Sequence, residues 1–277
     1  MSLRDELKAM ASRLGSAFDI PRIERAFFPP LGRGGQPREA EFMALLLEGG
    51  AVGVSYLLIN PAEEREYAAW QKRPLRGLDP VELAQGLVSG DLLGPIVGLA
   101  ALNAVCAQVI RATGFPLDFE TDSLGLLDPS PGDRFGMVGL FPPLLGRLRA
   151  SGADLVVLEL EERLVAAHPD LKVTLDPGDL GGCNKVLCTA TTVVNGTLDA
   201  VLAHLAPDAT VSVVGPTLGF FPDGLFERGV DLVGGTLVTD GERFFELIEA
   251  RQRWSGAARK FCLRRQGYPG MPAGFAG

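Results

Sequence analysis

The sequence predicts an α/β protein, with a parallel, doubly wound sheet in the C-terminal half and a smaller α+β unit before it. Three observations carry this reading. From Arg134 onward, strand-like and helix-like runs alternate, as they do where helices cross between parallel strands. Several apolar, β-branched runs (Leu187–Thr189, Val211–Val214, Leu232–Val238) are bordered by Gly, Thr, Asn or Pro, as strands feeding loops at one sheet edge would be. Between the halves, residues 114–132 carry Pro116, Pro129 and Pro131 and no sustained periodicity. The expected division is therefore 1–115 for the first unit, 116–131 for a linker, 132–255 for the sheet domain and 256–277 for a tail.

The elements follow in order. Ser2 precedes an amphipathic helix over the first 15 residues, and a start of this kind lacks the apolar core of a secretory signal. Residues 22–48 are mixed, with a turn at Pro29–Gly35. Ala51–Ile59 reads as a strand ended by Asn60-Pro61. Asp79 is placed to cap a helix whose first position is Pro80. Leu92–Ile110 has only Asn103 and Gln108 as polar residues, which is close to membrane-spanning length. Its small residues (Gly98, Ala100, Ala101, Ala104, Ala107) suit a tightly packed core helix instead, and Pro95 should disturb its first turns. Beyond the boundary, strands are expected at 134–138, 154–160, 185–190, 210–214 and 232–238. Helices are expected at 142–151, 196–205 and 242–254, and residues 267–272 read as a poorly ordered tail.

Composition narrows the function classes. The chain has 277 residues, 47% of them hydrophobic, and a net charge of -8. That balance disfavours nucleic acid or an anionic membrane surface as partner, since both call for a basic footprint. The basic cluster Arg259, Lys260, Arg264 and Arg265 reads as a solvated tail. Four scattered cysteines (Cys106, Cys183, Cys188, Cys262) make no disulfide framework and fit a reducing cytoplasm. A homodimer is the plainest oligomeric expectation.

Candidate ligand-binding residues cluster where strands end. Gly139 closes the first strand of the second half in Gly136-Met137-Val138-Gly139, without the G-x-G-x-x-G spacing of a dinucleotide turn. Glu159 follows Gly139 by 20 residues, the position of a ribose-binding acid, while Glu161 reads as solvated. Thr189, Thr191 and Thr192 lead into Asn195, Gly196 and Thr197, a helix start whose N–H groups would attract an anion or simply be capped. Gly215, Pro216 and Thr217 end the neighbouring strand. Cys183 and Cys188 form a C-x4-C pair with no second pair to complete a zinc site. The two histidines, His168 before Pro169 and His204 on a helix, exclude a His-rich metal site, and no nucleophile motif supports covalent hydrolysis.

With these residues assembled, the chain resembles the Rossmann-like family described as "putative heavy-metal chelation". The resemblance is carried by Gly98-Leu99-Ala100-Ala101-Leu102-Asn103-Ala104, by Thr189–Leu198 and by Gly215-Pro216-Thr217. Phe226–Asp231 and Val238-Thr239-Asp240 continue it. It implies a Rossmann-like ligand-binding domain after an enolase N-terminal-like first domain. It also implies metal handling, through a metal ion or a small chelating metabolite. Leu218-Gly219-Phe220-Phe221 makes the loop after Thr217 bulkier and more apolar than the family pattern. The leading expectation is a cytoplasmic protein holding a small anionic or metal-chelating metabolite in an interdomain cleft, with Asn103 reaching in from the first domain. The alternative is an enzyme using a nucleotide-like cofactor such as S-adenosylmethionine, with Glu159 on the ribose; a metal module built on Cys183 and Cys188 is a third reading. No residue pair has the spacing to name a general acid and base, so whether a reaction is catalysed stays open.

Overall fold

Two sheets are joined by two hydrophobic clusters that draw residues from both. A computed structural model of the chain describes residues 1–30, 42–59, 63–122, 126–160 and 171–273. Gly32–Gly35, Asn60-Pro61, Glu161 and the His168-Pro169 pair lie outside the described residues.

The first half opens with α1 (Leu3–Ala17), whose Ser2 cap forms a reciprocal capping box with Asp5. Three antiparallel strands follow, β1 (Ile23–Phe27), β2 (Phe42–Leu47) and β3 (Val52–Tyr56), in the order β1-β2-β3. Then come α2 (Glu64–Gln71), α3 (Pro80–Ala84) and the long α4 (Leu93–Thr113). Asp79 caps α3 through a bond from the Val81 N–H. Pro95 does not break α4, because it sits in the first turn, where a missing N–H costs no intrahelical bond. By length and composition α4 could cross a membrane, yet 94% of its apolar window is buried inside the protein.

The second half is a seven-stranded sheet built on β4 (Arg134–Val138), β5 (Asp154–Leu158), β6 (Lys172–Thr174), β7 (Lys185–Thr189), β8 (Thr210–Val214), β9 (Leu232–Val238) and β10 (Ala258–Arg264). The order is β10-β9-β8-β7-β4-β5-β6, and only the β9–β10 pair is antiparallel. The six parallel strands thus run outward in both directions from β4 and β7, the doubly wound Rossmann order. Helices α5 (Pro142–Ser151), α6 (Thr191–Val194), α7 (Leu198–Leu202), α8 (Asp223–Glu227) and α9 (Gly241–Glu249) connect or follow them.

Several sequence expectations change. The region 22–48 holds β1 and β2; all six residues of β2 are buried, because α4 covers one face of the small sheet and Phe244, Phe245 and Ile248 of α9 cover the other. The helix expected over 196–205 is shorter, Leu198–Leu202, and a further short helix, Thr191–Val194, stands before it across Asn195–Thr197. The helix expected over 242–254 ends at Glu249, and β6 was not anticipated. The described part of the expected tail, residues 256–273, is structured too. Residues 258–264 add β10 to the sheet edge, and the Cys262 N–H donates to the Asp118 carbonyl in the expected linker. Tyr268 then packs edge-on against Phe115 and Phe226 and donates to Asp223 at 2.8 Å.

Polar links tie the two halves together. Arg228, after α8, donates to Glu6 at 2.6 Å and Asp199 at 2.7 Å, which clasps α1 onto α7 and α8. At the amino edge of the large sheet, Asp133 accepts from Lys185 at 2.8 Å, from the Asn184 amide at 2.8 Å and from Ser130. The Lys185 bond first, then the Asn184 bond, hold its carboxyl far below the ordinary carboxylate range. A depressed folded-state pKa stabilises the protein above the unfolded value of about 4 and loses that contribution as pH falls toward the folded value. Melting temperature is therefore expected to fall more steeply below about pH 4 for the native chain than for Asp133→Asn. Parallel acid limbs in scanning calorimetry would refute this.

Candidate functional site

In a sheet of this order, the crevice lies where neighbouring loops leave in opposite directions, between the carboxyl ends of β4 and β7. Gly139 leaves β4 with φ +81°, a conformation that L side chains rarely adopt, and a Cβ there would stand 2.8 Å from Thr189 Cγ2. The two loops thus touch at the switch point. Glu159 ends β5 beside them, half-buried, and its carboxylate accepts from the N–H groups of Leu140 and Leu160.

The backbone of the β4 turn is fully committed. Gly139 N–H donates to the Leu158 carbonyl, Leu140 N–H to Glu159, Phe141 N–H to Met137 Sδ and Leu144 N–H to the Phe141 carbonyl. Pro142 and Pro143 have no N–H to give. A pyrophosphate is held in Rossmann proteins by free N–H groups at this helix start; here there are none.

At the end of β7, the Thr189 hydroxyl donates to Thr191 Oγ1 at 3.1 Å and accepts from the Thr191 N–H. Both side chains are half-buried, whereas Thr192 is buried and spends its hydroxyl on the Thr189 carbonyl at 2.7 Å. Asn195 Oδ1 accepts from both the N–H and the hydroxyl of Thr197, closing the turn around Gly196. Gly215, at the end of β8, approaches so closely that its Cβ would lie 2.7 Å from that of Ala190.

Asn103, Pro216 and Thr217 belong to a seam. Asn103 is 2% and Thr217 1% exposed. The Asn103 amide donates to the carbonyls of Val54 at 2.8 Å and Thr217 at 2.7 Å, and the Tyr56 N–H donates to Thr217 Oγ1 at 3.1 Å. These bonds satisfy the free edge of β3 and join the small sheet to the β8 loop. Asn103 does reach across from the first half, but its amide donors end on backbone carbonyls. The structure thus brings Gly139, Glu159, Thr189, Thr191 and Gly215 to one edge, sets Asn195–Thr197 one short helix away, and gives Asn103 and Thr217 to the seam. Reading α1 as an amphipathic helix gave no signal that Arg4 reaches the Val194 carbonyl beside that turn.

Among the described residues, the donor chemistry does not suit a heavy metal held by side chains alone. Among the described residues no group of three or more His, Cys, Asp or Glu stands close enough to share an ion. Cys183 and Cys188 lie before and within β7, so the strand separates them by roughly 10 Å or more. Both are buried, and burial pushes the Cys183 thiol up and the Cys188 thiol up to about 12, away from the thiolate that binds metal.

Comparisons with known proteins agree with this architecture. Residues 122–265 match the family model DUF364 and residues 40–106 the model DUF4213, both described as "Putative heavy-metal chelation". A DUF364 protein of unknown function from Pyrococcus horikoshii is similar in structure with a TM-score of 0.70 and 20% identity, covering 95% of this chain and 99% of its own. A second one, from Desulfitobacterium hafniense DCB-2, gives a TM-score of 0.65 and 19% identity, covering 94% and 99%. No curated protein matches the chain.

Proposed function

Because this chain belongs to the DUF364 family, described as "Putative heavy-metal chelation", we propose that it serves metal handling in the cytoplasm by binding a small metabolite that itself carries the chelating groups. The metabolite sits at the carboxyl edge between β4 and β7. Glu159 accepts from a ligand hydroxyl or amine through its remaining lone pairs, and Thr189 and Thr191 supply hydroxyls. The observation that carries this reading is the contrast in donors. A carboxylate and two hydroxyls flank the switch point, while no three metal-ligating side chains gather among the described residues.

One observation favours a second reading, an enzyme with a nucleotide-like cofactor such as S-adenosylmethionine. Glu159 directly follows β5, the second strand of the large sheet in chain order, where a ribose acid stands in Rossmann proteins. The committed N–H groups of the β4 turn disfavour a dinucleotide and leave a phosphate-free nucleoside possible.

Native and denaturing mass spectra of freshly purified protein test both. A mass surplus lost on denaturation and absent from Glu159→Gln supports the site, and its value identifies the ligand. A surplus retained in both Glu159→Gln and Thr189→Val removes the site from this edge. For a bare chain, melting with added S-adenosylmethionine decides: a shift seen in the native chain and cut about tenfold in apparent affinity by Glu159→Gln favours the enzyme. Absence of any shift at saturating concentration counts against it.

A further inference from the structure

Arg4, in the first turn of α1, is a half-buried guanidinium without a carboxylate partner among the described residues. It donates through Nη2 to the carbonyl of Val194, the last residue of α6, while its buried Nε–H has no acceptor among the described residues. Burial without a counter-charge pulls its pKa down. Two neighbouring carboxylates are already spent: Arg228 takes Glu6 at 2.6 Å and Asp199 at 2.7 Å. Asp5 is engaged by Ser2 in the capping box. The first turn of a helix also disfavours a cation, because its free N–H groups carry partial positive charge. A cation kept in this position against both burial and the helix field is suited to an anion from outside the chain.

The surroundings add donors. The guanidinium lies against Gly196, where a Cβ would stand 3.3 Å from Cζ and 3.4 Å from Nη2. Asn195 turns its Oδ1 onto Thr197, which leaves its Nδ2 donors unengaged among the described residues. This cluster stands one turn of α6, about 5 Å along the axis, beyond Thr191 at the carboxyl edge.

We propose that Arg4 and the Asn195–Gly196 turn form an oxyanion subsite that takes the carboxylate or phosphate group of a small metabolite. That this group belongs to the ligand at Glu159 rests on the reading above; anion binding at Arg4 does not.

Thermal unfolding of the full chain in inorganic phosphate, and separately in succinate, against sodium chloride of equal ionic strength tests the subsite. The native chain should show a saturable rise in Tm with at least one of the two anions. Arg4→Gln should abolish it, and Arg4→Lys, which keeps the charge without the planar fork, should need about tenfold more anion for half-saturation. Glu159→Gln should leave the anion response unchanged, so a failure at Glu159 and a failure at Arg4 read differently. No saturable rise in the native chain up to about 50 mM of either anion overturns the proposal, as does an equal response in Arg4→Gln. Should Arg4→Gln not fold, Arg4→Lys decides, and an unchanged half-saturation overturns it.

Discussion

Gly53→Ala is expected to lower stability by about 3 kcal/mol or more, and Gly53→Val to leave no cooperatively folded protein. Position 53 lies in β3 where the strand presses on α4. A Cβ built there falls 2.0 Å from the Ala100 carbonyl oxygen, 2.2 Å from the Ala104 nitrogen and 2.8 Å from the Asn103 carbonyl carbon. These are backbone atoms in the middle of a 21-residue helix, so no side chain can swing aside to relieve the clash. The small residues of α4 (Ala100, Ala101, Ala104) are what let strand and helix come this close, and Gly53 completes the contact from the other side. Moving β3 outward would strip its edge bonds to Asn103 and Thr217 and open both cores that flank the small sheet. Urea denaturation of Gly53→Ala beside Gly146→Ala provides the check. Gly146 is exposed within α5 with nothing near its missing Cβ, so alanine there should raise stability by about 0.5–1 kcal/mol. A Gly53→Ala midpoint equal to that of the native chain would remove the steric account.

What was legible in the sequence is what short-range chemistry dictates. The caps at Ser2 and Asp79 and the alternation from Arg134 follow from neighbours within a few residues. β2 was hidden because a strand covered on both faces loses its period-two signature; Phe42–Leu47 reads only as apolar. β10 was hidden for the opposite reason. Arg259, Lys260 and Arg264 look like a solvated tail, yet charges of this kind are what an exposed edge strand carries to discourage pairing with another chain.

The same division runs through the site. Gly139 and Glu159 could be placed from strand spacing, because each ends an adjacent parallel strand. That two prolines strip the helix start of donors is equally local chemistry, whereas the Glu159 bond to the Leu140 N–H crosses 19 residues between strands; both bear directly on which cofactors fit. Thr217 was recognisable as a polar residue at a strand end. Its partner, the Tyr56 N–H, is 161 residues away and carries no mark in the sequence. Arg4 is hidden in the same manner, since its environment is made by α6 and the Gly196 turn, 190 residues along the chain.

Asn103→Leu is expected to cost about 2–4 kcal/mol, although leucine nearly fills the same volume. The loss comes from polarity. With the amide gone, the Val54 and Thr217 carbonyls are left without their donors inside a seam where Asn103 is 2% exposed. Asn103→Asp should be worse near neutral pH, because a carboxylate in this place would face two carbonyl oxygens at the distances where the amide now donates. The aspartate variant should regain part of its stability as pH falls and the carboxyl protonates, becoming a donor to one of the two carbonyls. A folded carboxyl with raised pKa gives this sign: its penalty is absent below the unfolded value near 4 and grows as pH rises. The native amide has no such dependence. Denaturation midpoints of the three proteins at pH 5 and pH 8 decide the matter. If Asn103→Leu matches the native chain, the amide is not what holds the seam. If Asn103→Asp shows no pH dependence beyond that of the native chain, its carboxylate reaches water, and the seam is looser there than the 2% exposure of Asn103 implies.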